Sequence, residues 1–255
     1  MHHKPPPRKP PHWLGAKRER IIHVDMGEIM FLRRDREGHL NVYGYDPAKM
    51  LWTRNIAKIG STDSVLLALG NCAGIIAKNP HREEIAIAHV AMHDIPPDER
   101  ADFIRKRSDP RFLAAQLAVE MANNPNNPAY SQPEHLLRDA VKNNAQYMQR
   151  PGYFADTAVQ HIAREMGANP EAHIFGGYSH GSIEPRIISA LERLLREKAK
   201  SIHIDREHIG GRNGRAVKIA GIDTSTNLVE LDIGKAKFFM SIWEMQRFFI
   251  GQTLF

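Results

Sequence analysis

The sequence predicts an α+β fold: a layered β-sandwich or sheet core with flanking helices and a helical insertion. Two observations carry this expectation. Short β-prone runs bounded by turn residues recur in both halves of the chain. Apolar residues at helical spacing dominate one separate stretch, about 97–149, and return in two later segments. Hairpins mixed with a few amphipathic helices pack as a sheet layered with helices.

The elements follow in order. Residues 1–20 hold Lys4, Arg8, Lys9, Lys17, Arg18 and Arg20 among prolines. They read as a disordered, solvated arm, because such a composition buries too little apolar surface to fold. Residues 21–24 read as a strand that ends in the turn Asp25-Met26-Gly27-Glu28. Segments 29–33 and 40–45 form a hairpin across Asp35-Arg36-Glu37-Gly38. Residues 65–69 are an apolar run of strand length that breaks at Gly70-Asn71. Small and apolar residues follow over 72–78, read as a helix whose N-terminus lies at the turn. Residues 85–90 are the next strand.

Within the insertion, 101–107, 112–122 and 134–148 have helical spacing, and 123–128 break it with Asn and Pro. Residues 156–166 form an amphipathic helix that starts at Asp156-Thr157 and stops at Gly167. A strand over 172–175 and a helix over 184–198 come next, the helix with Ile187, Ile188, Leu191, Leu194 and Leu195 on one face. A short strand over 201–204, a turn over 210–214 and a hairpin of 216–222 with 228–233 across 224–227 complete the domain, taken as 21–237. The aromatic-rich tail, 238–255, is expected to pack on the body.

Composition narrows the function. Hydrophobic residues at 42% and charged residues at 25% are ordinary for a soluble globular protein. No run approaches the roughly 18 apolar residues of a membrane span, so no membrane insertion is expected. The basic, proline-rich start lacks the apolar core of a secretory signal. One cysteine cannot form an internal disulfide, and a reactive thiol survives best in a reducing compartment, so the expected location is cytoplasmic. The net charge of +6 is largely local to the arm and accompanies no nucleic-acid motif, which argues against a nucleic-acid partner. The histidines show no zinc spacing, so neither a metal nor a cofactor is expected.

That cysteine, Cys72, sits in Leu69-Gly70-Asn71-Cys72-Ala73-Gly74, between two apolar runs, and His89 lies in the following run. A thiol at a turn and a histidine in a neighbouring apolar segment form the layout of a nucleophile with its proton carrier. The same residues also suit a small buried hydrophobe and a satisfied core histidine.

The segments resemble the CheD-type chemoreceptor glutamine deamidases, which share a Cys/His hydrolase core with bacterial deamidating toxins. Val24-Asp25-Met26-Gly27-Glu28 is similar to that family's opening strand and Gly-Glu turn. Leu69-Gly70-Asn71-Cys72 is similar to its nucleophile turn, and Ala88-His89-Val90-Ala91-Met92 to its catalytic strand. Tyr153-Phe154-Ala155-Asp156-Thr157-Ala158 resembles its Tyr-Ala-Asp helix start. Ile174-Phe175-Gly176-Gly177 resembles its Gly-Gly loop, and Gly210-Gly211-Arg212 its C-terminal turn. These segments occur in the family's order.

The resemblance implies a CheD-like fold and deamidation of a glutamine side chain in a protein substrate, with a regulatory protein as a further partner. It implies Cys72 as nucleophile and His89 as general base. Leu66 stands where the family carries its third catalytic residue, a Thr. Ser64 shares that strand face by the period of two and is the candidate replacement. Thr62 and a backbone carbonyl, as in the related toxins, are the alternatives. Gly70 and Asn71 are expected to donate to the oxyanion, aided by the helix N-terminus at Cys72. Gly176, Gly177, Ser179 and His180 are expected to line the substrate loop, where Tyr178 and His180 depart from the family pattern. The insertion is expected to cover or border the site. The rival reading is a catalytically inactive protein-binding module of CheD type.

Overall fold

Hairpin pairing and alternation place the apolar strands in two stacked sheets. In this computed structural model the described residues are 21–37, 40–46, 51–59, 64–69, 72–79, 81, 84–123, 131–167, 169–176, 183–204, 215–223 and 228–235. In chain order the elements begin with β1 (Ile21–His23), β2 (Ile29–Arg34), β3 (Leu40–Asp46), β4 (Leu51–Ile59), β5 (Ser64–Leu69), β6 (Ala73–Asn79) and β7 (Glu84–Val90). They continue with α1 (Pro97–Arg107), α2 (Pro110–Asn123), α3 (Pro133–Met148), α4 (Ala155–Met166), β8 (Glu171–Gly176), α5 (Ile183–Leu195), β9 (Ser201–Ile204), β10 (Arg215–Asp223) and β11 (Leu228–Lys235).

The larger sheet runs β4-β3-β2-β7-β6-β8-β9, and the smaller runs β1-β5-β10-β11. Between them lies an apolar layer. Alternate residues of β5, namely Val65, Leu67 and Leu69, meet Met30, Leu32, Ile76, Ile87 and Phe175 of the larger sheet. On that sheet's other face Val159 and Ile162 of α4, with Ile187 and Leu191 of α5, cover Phe31, Ile75, Ala88 and Ile174. The fold is therefore α+β, a sheet-on-sheet core with one helical layer, as the residue patterns predict.

The central strands β6 and β7 are buried on both faces, apart from exposed Lys78. This corrects the reading of 72–78 as a helix: the segment is a strand. A strand covered on both sides is a continuous apolar run, which periodicity does not separate from a buried helix. β4, at the sheet's edge, is a strand the residue patterns did not assign, since 51–59 carries no clear alternation.

The helical insertion forms as expected, and each helix opens on a proline, whose missing N–H costs nothing there. Leu117 of α2 and Leu136 of α3 bury against each other. Gly167 ends α4 with φ of 78°, the left-handed conformation glycine favours. Phe154, not Asp156, stands at the N-cap of α4, and Thr157 Oγ1 donates to Phe154 O at 3.0 Å. Asp156 instead pairs with Arg100 of α1 at 2.7 Å, and that guanidinium covers the Phe154 ring. The arm 1–20, the turns at 210–214 and 224–227, the loop 124–130 and the tail 238–255 lie outside the described residues.

Gly74 marks a close approach between the sheets. A Cβ there would stand 2.4 Å from Cζ of Phe175 and 3.0 Å from Cδ2 of Leu67, both fully buried. Gly74→Ala is expected to cost about 1–3 kcal/mol through overpacking. Urea unfolding checks this, and an unchanged midpoint would contradict the packing.

Candidate active site

β7 carries His89 into the buried layer, and the turn after β1 grips it. Gly27 N–H donates to His89 O at 2.9 Å, and His89 N–H donates to Glu28 O at 3.0 Å. Gly27 has φ of 80°, where a side chain would be strained and would meet Tyr147 O at 2.9 Å. Asp25 N–H donates to Glu28 Oε2 at 2.9 Å, closing the turn on itself. Val24, just before it, presents its carbonyl oxygen 3.2 Å from His89 Nδ1. A carbonyl oxygen only accepts, so in this contact Nδ1 carries the proton and Nε2 keeps its lone pair. Nε2 is buried and makes no hydrogen bond among the described residues.

Burial lowers the His89 pKa to about 4; the bond to Val24 opposes that shift, and the Arg150 charge adds to it. The imidazole is therefore neutral at physiological pH. Arg150 donates to Met26 O at 3.1 Å and lies 3.6 Å from Glu28 and 3.8 Å from Asp25. Gly152 N–H donates to Gly27 O at 2.8 Å. The end of the insertion is thus fastened to the turn that holds the histidine.

Cys72 immediately precedes β6. Side chains alternate along a strand, so Cys72 falls on the same side as Gly74. Gly74 pairs with His89 on β7 and with Phe175 on β8. Cys72 is therefore a diagonal cross-strand neighbour of His89. Such pairs stand roughly 7–8 Å apart along the backbone, and closer at the side chains. The thiol is half-buried and packs both on the layer between the sheets and on a cluster of Ala91, Met92, Tyr153 and Phe154.

Tyr153 joins the pair. Its carbonyl accepts from Ala91 N–H at 3.1 Å and Met92 N–H at 2.9 Å, next to the strand position facing Cys72. The side chain is 7% exposed. Burial, with a contribution from the charge on Cys72, pushes its pKa up to about 12, against a smaller opposing effect of Arg107. It remains a protonated hydroxyl, a donor in electrostatic range of the sulfur. Phe103 and Ile104 of α1 and Met148 of α3 belong to the same cluster, so the insertion borders the cysteine.

No family model matches the chain, and no significant match is found among curated proteins.

The structure places Cys72 and His89 on one face of adjacent strands. Gly176 ends β8 opposite Ala73, beside the cysteine. Gly70, Asn71, Gly177, Tyr178, Ser179 and His180 lie outside the described residues, as does Thr62. Ser64 opens β5 opposite Ile21, at the far end of that strand from the cysteine turn. The atom on His89 Nδ1 is the carbonyl oxygen of Val24, a backbone group of the kind expected as an alternative to Ser64. The strand identity of β6 also removes the helix dipole from the account of the thiol. Among the described residues no cluster of three or more His, Cys, Asp or Glu is placed to hold a metal, and no helix is long and apolar enough to cross a membrane. Sequence reasoning assigned no role to Tyr153, Arg150 or Arg107. For Tyr153 the available signal was its place between a Pro-Gly turn and a helix start.

His89 links the site to stability. Its folded pKa is about 4 against the ordinary 6.5. The unfolded chain therefore binds the extra proton first as pH falls. This group's contribution is complete above about pH 6.5 and is lost as pH drops toward 4. Between pH 7.5 and pH 5 the loss is expected to be about 2 kcal/mol. Urea unfolding of the protein and of His89→Gln at both pH values isolates it, because the variant lacks this component. Equal pH slopes in the two proteins would contradict the buried neutral imidazole.

Proposed function

We propose that this chain is a CheD-like cysteine hydrolase that deamidates glutamine side chains in a protein substrate, through a thioester on Cys72. The observation that carries the reading is the buried His89. Val24 fixes its Nδ1, and Nε2 is left without a partner on the strand face it shares with Cys72. Most buried polar side-chain atoms are hydrogen-bonded, and this one lies on the face that carries the thiol. The ordered run of CheD-like segments points to the amide of glutamine.

The chemistry starts from a neutral imidazole. Nε2 of His89 takes the Cys72 proton as the sulfur attacks the amide carbon. The carbonyl oxygen becomes an oxyanion, for which the protonated Tyr153 hydroxyl, in the cluster on which Cys72 packs, is a candidate donor. Collapse breaks the C–N bond, and the imidazolium gives its proton to the departing ammonia. Water then attacks the thioester, with Nε2 as base. The C–S bond breaks, the acid is released, and the proton returns to the sulfur. Because the resting imidazole is neutral down to about pH 4, the acid limb of kcat/KM is expected near that value instead of near 6.5.

The test is ammonia release and amide-to-acid mass shift on glutamine-containing proteins. Cys72→Ala is expected to abolish both while keeping the circular dichroism of the parent. His89→Gln is expected to lower kcat by about 10²–10⁴. Undiminished turnover in Cys72→Ala overturns the mechanism. An inert Cys72 in a folded protein favours the non-catalytic binding module, which Leu66 in the family's Thr position also suits.

A further inference from the structure

Arg107 closes α1, and its surroundings are unlike those of its neighbours on that helix. Arg105 and Lys106 pair with Asp102, and Arg100 pairs with Asp156. Arg107 has no carboxylate partner among the described residues, although it is half-buried. Its guanidinium instead lies 5.5 Å from the Phe103 ring and 5.0 Å from the Phe112 ring. Two aromatic faces hold a cation in place without neutralising it. Asn144 of α3 donates to Arg107 O at 2.8 Å and ties down this end of the helix.

Residues three and four apart share a helix face, so Arg107 lies over Phe103 and Ile104. Those two residues pack in the cluster that also holds Cys72 and Tyr153. The charge of Arg107 is felt at the Tyr153 hydroxyl, where the charge of Cys72 is felt too. A cation held between two rings, with no carboxylate partner among the described residues, thus lies beside the cluster on which the thiol packs.

The geometry points to an anion-accepting subsite beside Cys72, formed by Arg107, that takes a carboxylate carried by the substrate close to the carbonyl under attack. This rests on the hydrolase reading of Cys72 and narrows it: the favoured glutamine has an acidic group beside it. The helical insertion then selects substrate as well as bordering the site.

Two alkylating reagents of similar size test the subsite without any turnover. Iodoacetamide is neutral and iodoacetate is anionic. With each, the Cys72 sulfur forms a C–S bond as iodide leaves. Only one cysteine is present, so the rates report on it alone. The iodoacetate-to-iodoacetamide rate ratio is expected to fall about fivefold in Arg107→Gln at low ionic strength. Arg107→Lys keeps the charge and is expected to retain most of the ratio. Arg105→Gln is expected to leave it unchanged, and added salt to lower it in the parent protein. Circular dichroism verifies that Arg107→Gln is folded. An unchanged ratio in Arg107→Gln, with Cys72 still alkylated by iodoacetamide, overturns the subsite and leaves the hydrolase reading standing. A Cys72 that neither reagent alkylates overturns both.

Discussion

The turn between Val24 and Glu28 holds His89 by backbone on both sides and by a carbonyl on its ring. A buried imidazole is stable only if at least one nitrogen is satisfied and the ring stays neutral. Both conditions follow from this grip. The carbonyl demands a protonated Nδ1, and the surrounding apolar strands disfavour a second proton. What remains is a lone pair on Nε2, oriented by peptide groups that cannot rotate away. A side-chain hydroxyl in the same role would have rotamers to lose and a proton of its own to place.

The grip depends in turn on the insertion. Arg150 and Gly152 bind the outer side of the same turn, and a side chain at Gly152 would meet Gly27 O and Glu28 O at 2.8 Å. Tyr153, the next residue, binds the backbone just beyond His89 and places its ring in the cluster around Cys72. One short segment therefore fastens the helices to the sheet, braces the histidine and supplies a hydroxyl. Three consecutive roles in so few residues explain why the insertion is joined to the site and is not a separate lobe.

Much of this was legible in the sequence. Period-two and 3.6-residue patterns locate most strands and all five helices among the described residues, and the Cys/His pair stands out because the chain has no other thiol. The strand β6 was not legible, because burial on both faces erases alternation, and β4 was not, because an edge strand of mixed polarity shows none. The orienting group of His89 has no side-chain signature at all: a carbonyl is present at every residue, and that of Val24 reaches the ring where the turn bonds to the backbone of His89. Arg107 and Arg150 carry no sequence signal that sets them apart from the chain's other arginines. Arg150 gains its role from contacts with the Asp25–Glu28 turn, and Arg107 from the Phe103 and Phe112 rings.

The most direct test of this account is the tautomer and protonation of His89, read by nitrogen NMR of the ring, with His89→Gln identifying the signal. The account predicts a neutral ring at pH 6, protonated on Nδ1 and bare on Nε2. A ring protonated on Nε2, or an imidazolium at that pH, would contradict it.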